Sequence, residues 1–233
     1  MLQVFRAAAP RTVPVLAGYM FLGIAFGLLL SSKGYGWSVA LLMSLFIYAG
    51  SGQFVAVGLM TVPLDIGMAV LLTLLVNARH LFYGLSMLER FQGTGKWKPY
   101  LVFAMTDETY SLICSTKVPK GMNKGTFYGI ISMLDHSYWI AGSLCGAIFG
   151  SLVSLDLKGI DFVMTALFIV IFVEQWEESK DHTAALTGVF VTVLFLLLVG
   201  RQWFLLPSMG GILCMLTLLR SRLEVKYHDL VTE

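Results

Sequence analysis

Residues 13–32, VPVLAGYMFLGIAFGLLLSS, contain no charged side chain, and Tyr19 and the two closing serines are their polar members. The run is as long as the roughly 20 residues a helix needs to cross a bilayer. It outruns the apolar stretch of a signal peptide, and Ser31-Ser32-Lys33 is not a small-residue cleavage site. It therefore reads as a first span, with Arg6 and Arg11 ahead of it.

Seven more apolar segments follow: Trp37–Met60, Leu64–Leu88, Pro99–Ser115, Thr126–Val153, Ile160–Val173, Thr183–Gly200 and Trp203–Leu219. The connectors are short and hold most of the charge. No linker divides the chain, which predicts one domain over residues 1–233. Across the 233 residues, 57% belong to the apolar set and 13% are charged, about half the usual share. A single water-soluble core of this size cannot bury so much apolar surface, whereas a bilayer can. Lipid offers backbone groups no partner, so the spans should be helices, and the alternation of a membrane barrel is missing. The expected fold is an all-α polytopic transmembrane helical bundle of roughly seven or eight spans. The 16 Lys and Arg sit at segment ends and form no nucleic-acid-binding stripe. Cys114, Cys145 and Cys214 lie inside apolar segments with neither disulfide nor metal spacing, so no metal or cofactor is expected.

An offset of 122 to 123 residues relates Gly23-xxx-Gly27 to Gly146-xxx-Gly150, Leu45-Phe46-Ile47 to Leu167-Phe168-Ile169, Gln53-Phe54 to Gln175-Trp176, and Arg79 to Arg201. Each match alone is expected by chance in a Leu- and Gly-rich chain. Their shared order is the pattern of an internal duplication, about residues 13–117 and 126–219, as in many secondary transporters. Gly50 and Gly52 have no counterpart, so one broken helix is expected, in the first half.

Polar groups interrupt the apolar segments at four places. Ala49-Gly50-Ser51-Gly52-Gln53 lowers helix propensity in mid-segment. A break there would offer N–H groups to a carboxylate and C=O groups to a cation; a Gly/Ser packing face is the alternative. Asn77-Ala78-Arg79-His80 lies deep in the third segment. Arg79 is suited to clamp a carboxylate, to snorkel or to pair with an acid, and His80 to carry a proton. Asp107-Glu108, placed within the fourth segment, stand about 100° apart on a helix and serve different partners. Asp107 suits Arg79 or a substrate ammonium, and Glu108 a proton. Asp135-His136-Ser137-Tyr138-Trp139 reads as a solvated interfacial belt. Gly142, Gly146 and Gly150 form one helix-packing stripe, and Gly23 and Gly27 another.

On Ile47-Tyr48-Ala49-Gly50-Ser51-Gly52-Gln53-Phe54, Arg79-His80-Leu81-Phe82-Tyr83-Gly84-Leu85-Ser86 and Thr106-Asp107-Glu108-Thr109-Tyr110, the chain resembles the AzlC family, the large subunit of two-component branched-chain amino acid exporters. The resemblance implies export of leucine, isoleucine and valine, with methionine as a further candidate, through the bacterial inner membrane. It also implies an ion gradient as the energy source and a small hydrophobic AzlD-like partner. Ser51, Gly52, Gln53, Asn77, Arg79 and Asp107 are the candidate substrate residues; His80 and Glu108 are the candidate proton carriers. Asn77 departs from the family pattern, which often has an acid there. If the duplication holds, one glycine stripe packs internally and the other stays free for the partner; the competing explanation is that both stripes pack inside this chain and any oligomer is a homodimer. A channel or structural subunit is the competing membrane reading. An intramembrane serine protease would use Ser51, but Ala49-Gly50-Ser51-Gly52 lacks the first glycine of Gly-x-Ser-Gly.

Overall fold

The computed structural model describes residues 2–63, 65–152, 165, 169, 172–173, 176–177, 181–200, 204, 207–208 and 210–219. All regular structure among the described residues is helical. The chain falls into two compact units, Met1–Leu167 and Phe168–Glu233. The first holds α1 (Leu2–Ser32), α2 (Trp37–Phe46), α3 (Gly50–Met60), α4 (Ile66–Met87), a 3-10 turn at Gly95–Trp97, α5 (Lys98–Phe103), α6 (Asp107–Ser115) and α7 (Lys124–Leu152). The second holds α8 (Thr183–Val199) and α9 (Gly210–Leu219). The segment Ile160–Val173 lies mostly, and Gln175 and Arg201 wholly, outside the described residues.

α1 starts eleven residues before the expected span, so Arg6 and Arg11 lie inside the helix. Ala7-Ala8-Ala9 favours helix, and neither Pro10 nor Pro14 ends it. Arg11 is held by the carbonyl of Ala7 and sits 5.4 Å from the centre of the Phe127 ring. At the other end Gly34 takes φ 84°, Tyr35 N–H donates to Leu30 O (3.2 Å), and Gly34 N–H donates to Ser31 O (2.9 Å). These are the two bonds of a Schellman cap. With 31 residues, α1 is about 46 Å long, more than the hydrocarbon layer requires. Among the described residues, α1 is the one helix long and apolar enough to cross a bilayer by itself. The two parts of α4, Ile66–Leu74 and Val76–Met87, pass that test jointly across a bend of 41°.

α1 and α7 pack along their lengths, and their glycines face each other. A Cβ on Gly23 would lie 2.9 Å from Ser143 N, and one on Gly142 2.9 Å from Tyr19 O. A Cβ on Gly27 would overlap Ser143 O, and one on Gly146 would overlap Ile24 O. The two backbones touch with no side chain between them, the close approach small residues permit. This corrects the expectation of one stripe left free for a partner and matches its alternative: both stripes pack inside the chain, each against the other. Gly125 and Gly129, not singled out in the sequence, admit Thr94 and the Trp97 ring against the start of α7.

The unit buries polar side chains beside its apolar core and exposes large apolar ones. Thr12, Ser44, Ser51, Gln53, Thr109, Ser132, Asp135 and Ser143 are buried, whereas Phe21, Phe46, Leu81, Phe82, Leu85 and Leu152 are 66% to 77% exposed. Water would penalise that distribution, and lipid favours it.

Gly146→Ala should destabilise the protein by about 1–3 kcal/mol, because its methyl meets immovable backbone. Gly18→Ala, which meets nothing within 4 Å, should be neutral or stabilising by up to about 1 kcal/mol. Thermal unfolding of the two purified variants, followed by size-exclusion chromatography, checks the contrast.

Candidate functional site

Two helix breaks build the site. α2 ends at Phe46 and α3 begins at Gly50, so Gly50, Ser51 and Gly52 form the first turn of α3. The unusual backbone falls on Tyr48 (φ 37°), in the left-handed region that a bulky residue rarely enters. Packing holds it there: the Tyr48 ring stacks on His136 at 4.1 Å and meets Tyr19 edge-on at 6.4 Å. The two glycines serve close approach. A Cβ on Gly50 would lie 3.3 Å from the Trp139 ring, and one on Gly52 would lie 3.2 Å from Asn77 Nδ2. Ala49 supplies no side-chain cap, so the first-turn N–H groups of α3 and their positive end of the helix dipole stay uncapped.

The second break corrects the expectation of one continuous helix through Pro99–Ser115 and of a single broken helix. α5 stops at Phe103 and α6 starts at Asp107. Thr106 caps α6 by accepting from Thr109 N–H (3.3 Å), and Asp107 and Glu108 occupy its first turn. Acids there complement the helix dipole. A threonine followed by two acids is a helix-start signal, and it was legible in the sequence.

Arg79 on α4 spans the two breaks. Its Nη1 pairs with Asp107 Oδ2 and its Nη2 donates to Ser51 Oγ. The two charged side chains are 25% and 28% exposed. Several buried atoms around them have no partner: Arg79 Nε, Asp107 Oδ1, Asn77 Oδ1 and Gln53 Nε2. Asn77 Nδ2 donates to Thr73 O (2.9 Å), and His80 Nδ1 donates to Asn77 O (3.2 Å). Gln53 is fully buried and accepts from Trp139 Nε1 at 2.7 Å. Ser51 thus has a guanidinium partner where a protease nucleophile would have a base.

Glu108 turns away from Arg79 toward α1, where Tyr19 donates to its Oε2 (2.8 Å). The Tyr19 hydroxyl also contacts Thr106 Oγ1. Thr106 Oγ1 lies 3.0 Å from Thr109 Oγ1, which lies 2.9 Å from Asp135 Oδ2. Asp135 is 0% and His136 7% exposed, which corrects their reading as a solvated interfacial belt. α7 begins at Lys124, so Asp135 lies three turns, about 16 Å, inside it. His136 Nε2 donates to Ser44 O (2.9 Å), and its Nδ1 lies 3.1 Å from the Tyr100 hydroxyl. Tyr19, Thr106, Thr109 and Asp135 thus form a polar line that leads away from the Arg79–Asp107 pair, and the sequence did not single them out as site residues. Among the described residues, no group of three or more His, Cys, Asp or Glu side chains is placed to hold a metal ion.

Helices throughout the described regular structure, lipid-compatible outer faces and a half-buried ion pair beside two helix breaks define a helical membrane protein with buried polar groups. Residues 14–153 match the family described as AzlC protein, and the chain belongs to that family. A protein of Bacillus subtilis named branched-chain amino acid transport protein AzlC is 49% identical over 94% of this chain and 87% of its own length. An uncharacterized membrane protein of Helicobacter pylori is 46% identical over 96% of this chain and 98% of its own. Inner membrane protein YgaZ of Escherichia coli is 26% identical over 90% of this chain and 87% of its own. No solved structure matches the chain. These relatives point to a transporter rather than an enzyme.

Breaking the Arg79–Asp107 pair from one side leaves a charge without its partner, at a cost that buried examples place at about 3–5 kcal/mol and half-burial reduces. Arg79→Ala and Asp107→Ala should each lower stability, and the double variant should lose less than the sum of the two. Denaturation of the four proteins in detergent measures the coupling.

Proposed function

We propose that the chain is a secondary transporter that exports leucine, isoleucine and valine, with methionine as a further candidate, driven by the proton gradient. It works in this reading as a single transporter domain of roughly seven or eight spans in the bacterial inner membrane. The observation that carries the proposal is the Arg79–Asp107 pair between the N-termini of α3 and α6. An amino acid is a zwitterion, and this pair is its mirror image. The substrate carboxylate takes over the Arg79 fork and the free N–H groups of Gly50, Ser51 and Gly52. The substrate ammonium takes over Asp107, whose Oδ1 is without a partner. The exchange replaces one ion pair by two and leaves the net charge of the site unchanged. Asn77 and Gln53 contribute unpaired polar atoms at the edge of the same site. Glu108 and His80 are the proton carriers nearest to it.

Arg79→Lys keeps the charge and loses the planar fork that reaches two helices at once. Leucine efflux should fall by at least about tenfold at wild-type abundance, the equivalent of 1.4 kcal/mol of binding. Normal efflux by Arg79→Lys would remove the clamp from the mechanism.

A small AzlD-like subunit completes the transporter in this reading. The α1–α7 seam is closed, so the partner meets another lipid-facing surface. Co-expression with the small subunit should raise labelled-leucine efflux above that of this chain alone; equal efflux from the two strains rules out an obligatory partner.

A further inference from the structure

Glu108, Tyr19, Thr106, Thr109 and Asp135 form an unbroken line of oxygens joined by four contacts, from the half-buried first turn of α6 to the fully buried middle of α7. Each contact needs one hydrogen. The three hydroxyls supply three, because each carries one. The amide of Thr109 adds none, since it is spent on capping from Thr106. With both carboxyls ionised, one contact would set lone pair against lone pair in a buried site. The fourth hydrogen therefore belongs to a carboxyl.

We propose that Glu108 and Asp135 share a single proton through Tyr19, Thr106 and Thr109, and that Asp135 is the second proton-binding site of this protein. The inference deepens the proton-coupled reading above and rests on it for its link to transport. With the proton on Asp135, its O–H donates to Thr109, Thr109 to Thr106, Thr106 to Tyr19, and Tyr19 to the Glu108 carboxylate. With the proton on Glu108, all four bonds run the other way. Passage between the states breaks one O–H bond and forms one at each hydroxyl, so the hydroxyls stay neutral while Glu108 loses the proton that Asp135 gains. The end that holds the proton sets the charge beside the Arg79–Asp107 pair. The other titratable or charged groups around the line are Arg79 on α4, Tyr48 between α2 and α3, Tyr100 on α5, Asp107 on α6 and His136 on α7.

A shared proton makes a prediction that two independent acids do not. An amide in place of either carboxyl supplies the fourth hydrogen itself, so the remaining carboxyl ionises. Full-length wild-type protein in lipid vesicles at neutral pH should show the infrared stretch of a buried protonated carboxyl. Glu108→Gln and Asp135→Asn should each abolish that band entirely. Survival of the band in either variant, or its absence from the wild type, overturns the shared proton. Tyr19→Phe keeps the ring that packs against Tyr48 and Trp139 and removes the hydroxyl that joins Glu108 to the rest of the line, so it decides the question where an acid variant does not fold. It should retain leucine-for-leucine exchange and lose leucine transport driven by a pH gradient. Undiminished gradient-driven transport in Tyr19→Phe overturns the relay. If the wild type carries no leucine, the transport reading fails by itself, and the infrared bands still decide the shared proton.

Discussion

Where Gly27 meets Ser143 and Gly146 meets Ile24, two helices touch through their backbones, and the buried aromatic and polar groups are arranged around that contact. Lipid tails are as apolar as leucine, so no hydrophobic force pushes α1 and α7 together; packing and satisfied polar groups must do so. Contact this close leaves the larger residues one or two turns away in a common layer. Tyr19 meets the Trp139 ring at 5.5 Å, and Phe26 stacks on it at 6.1 Å. From that layer Trp139 reaches α3 through Gln53, and Tyr19 reaches α6 through Thr106 and Glu108. A methyl group on Gly146 would move all of these partners at once.

The broken helices are a cost that a fold selected for stability alone would avoid. Free backbone groups in a membrane interior require partners. The break before α6 provides its own, with Thr106 as cap and two acids matching the dipole. The break before α3 provides none from Ala49, and it holds Tyr48 in a conformation costing on the order of 1–3 kcal/mol. The unpartnered atoms of Arg79, Asp107, Asn77 and Gln53 gather around those same two helix ends. A strained residue and four of the unpartnered atoms thus stand at the ends that the proposed substrate site uses.

Hydropathy made the helical membrane class legible, because each long uncharged run has few alternatives. The polar residues of the first site were legible too: Arg79 and Asp107 stand out against apolar surroundings, and the structure brings them together although 28 positions separate them. The position of the first break was read from its glycines and displaced by a few residues, because the strained position is Tyr48, held by ring packing that no local pattern announces. The second break was missed although Thr106-Asp107-Glu108 is a start signal, since the apolar run around it reads as continuous. Asp135 was misplaced for a different reason. Tyr138 and Trp139 beside it suit an interface, and only the packing of α2, α3 and α6 against this stretch shows that it is buried.

The adjacency of Asp107 and Glu108 ties the two polar clusters together. Successive residues on a helix point about 100° apart, so one acid faces Arg79 on α4 while the next faces Tyr19 on α1. The ion pair and the line of oxygens therefore end on neighbouring residues of one helical turn, and the proposed coupling needs no long pathway between them. Two unit charges roughly 7 Å apart interact by about 2 kcal/mol at an effective dielectric near 20. That suffices for a change of more than about tenfold in an equilibrium constant. Ionising Glu108 strengthens the hold of this turn on cations, and so favours Arg79 or a substrate ammonium at Asp107. Protonating it weakens that hold. In the proposed mechanism, a proton at Glu108 and one withdrawn to Asp135 would present the substrate with two different sites built from the same residues, which is the minimum a coupled transporter requires.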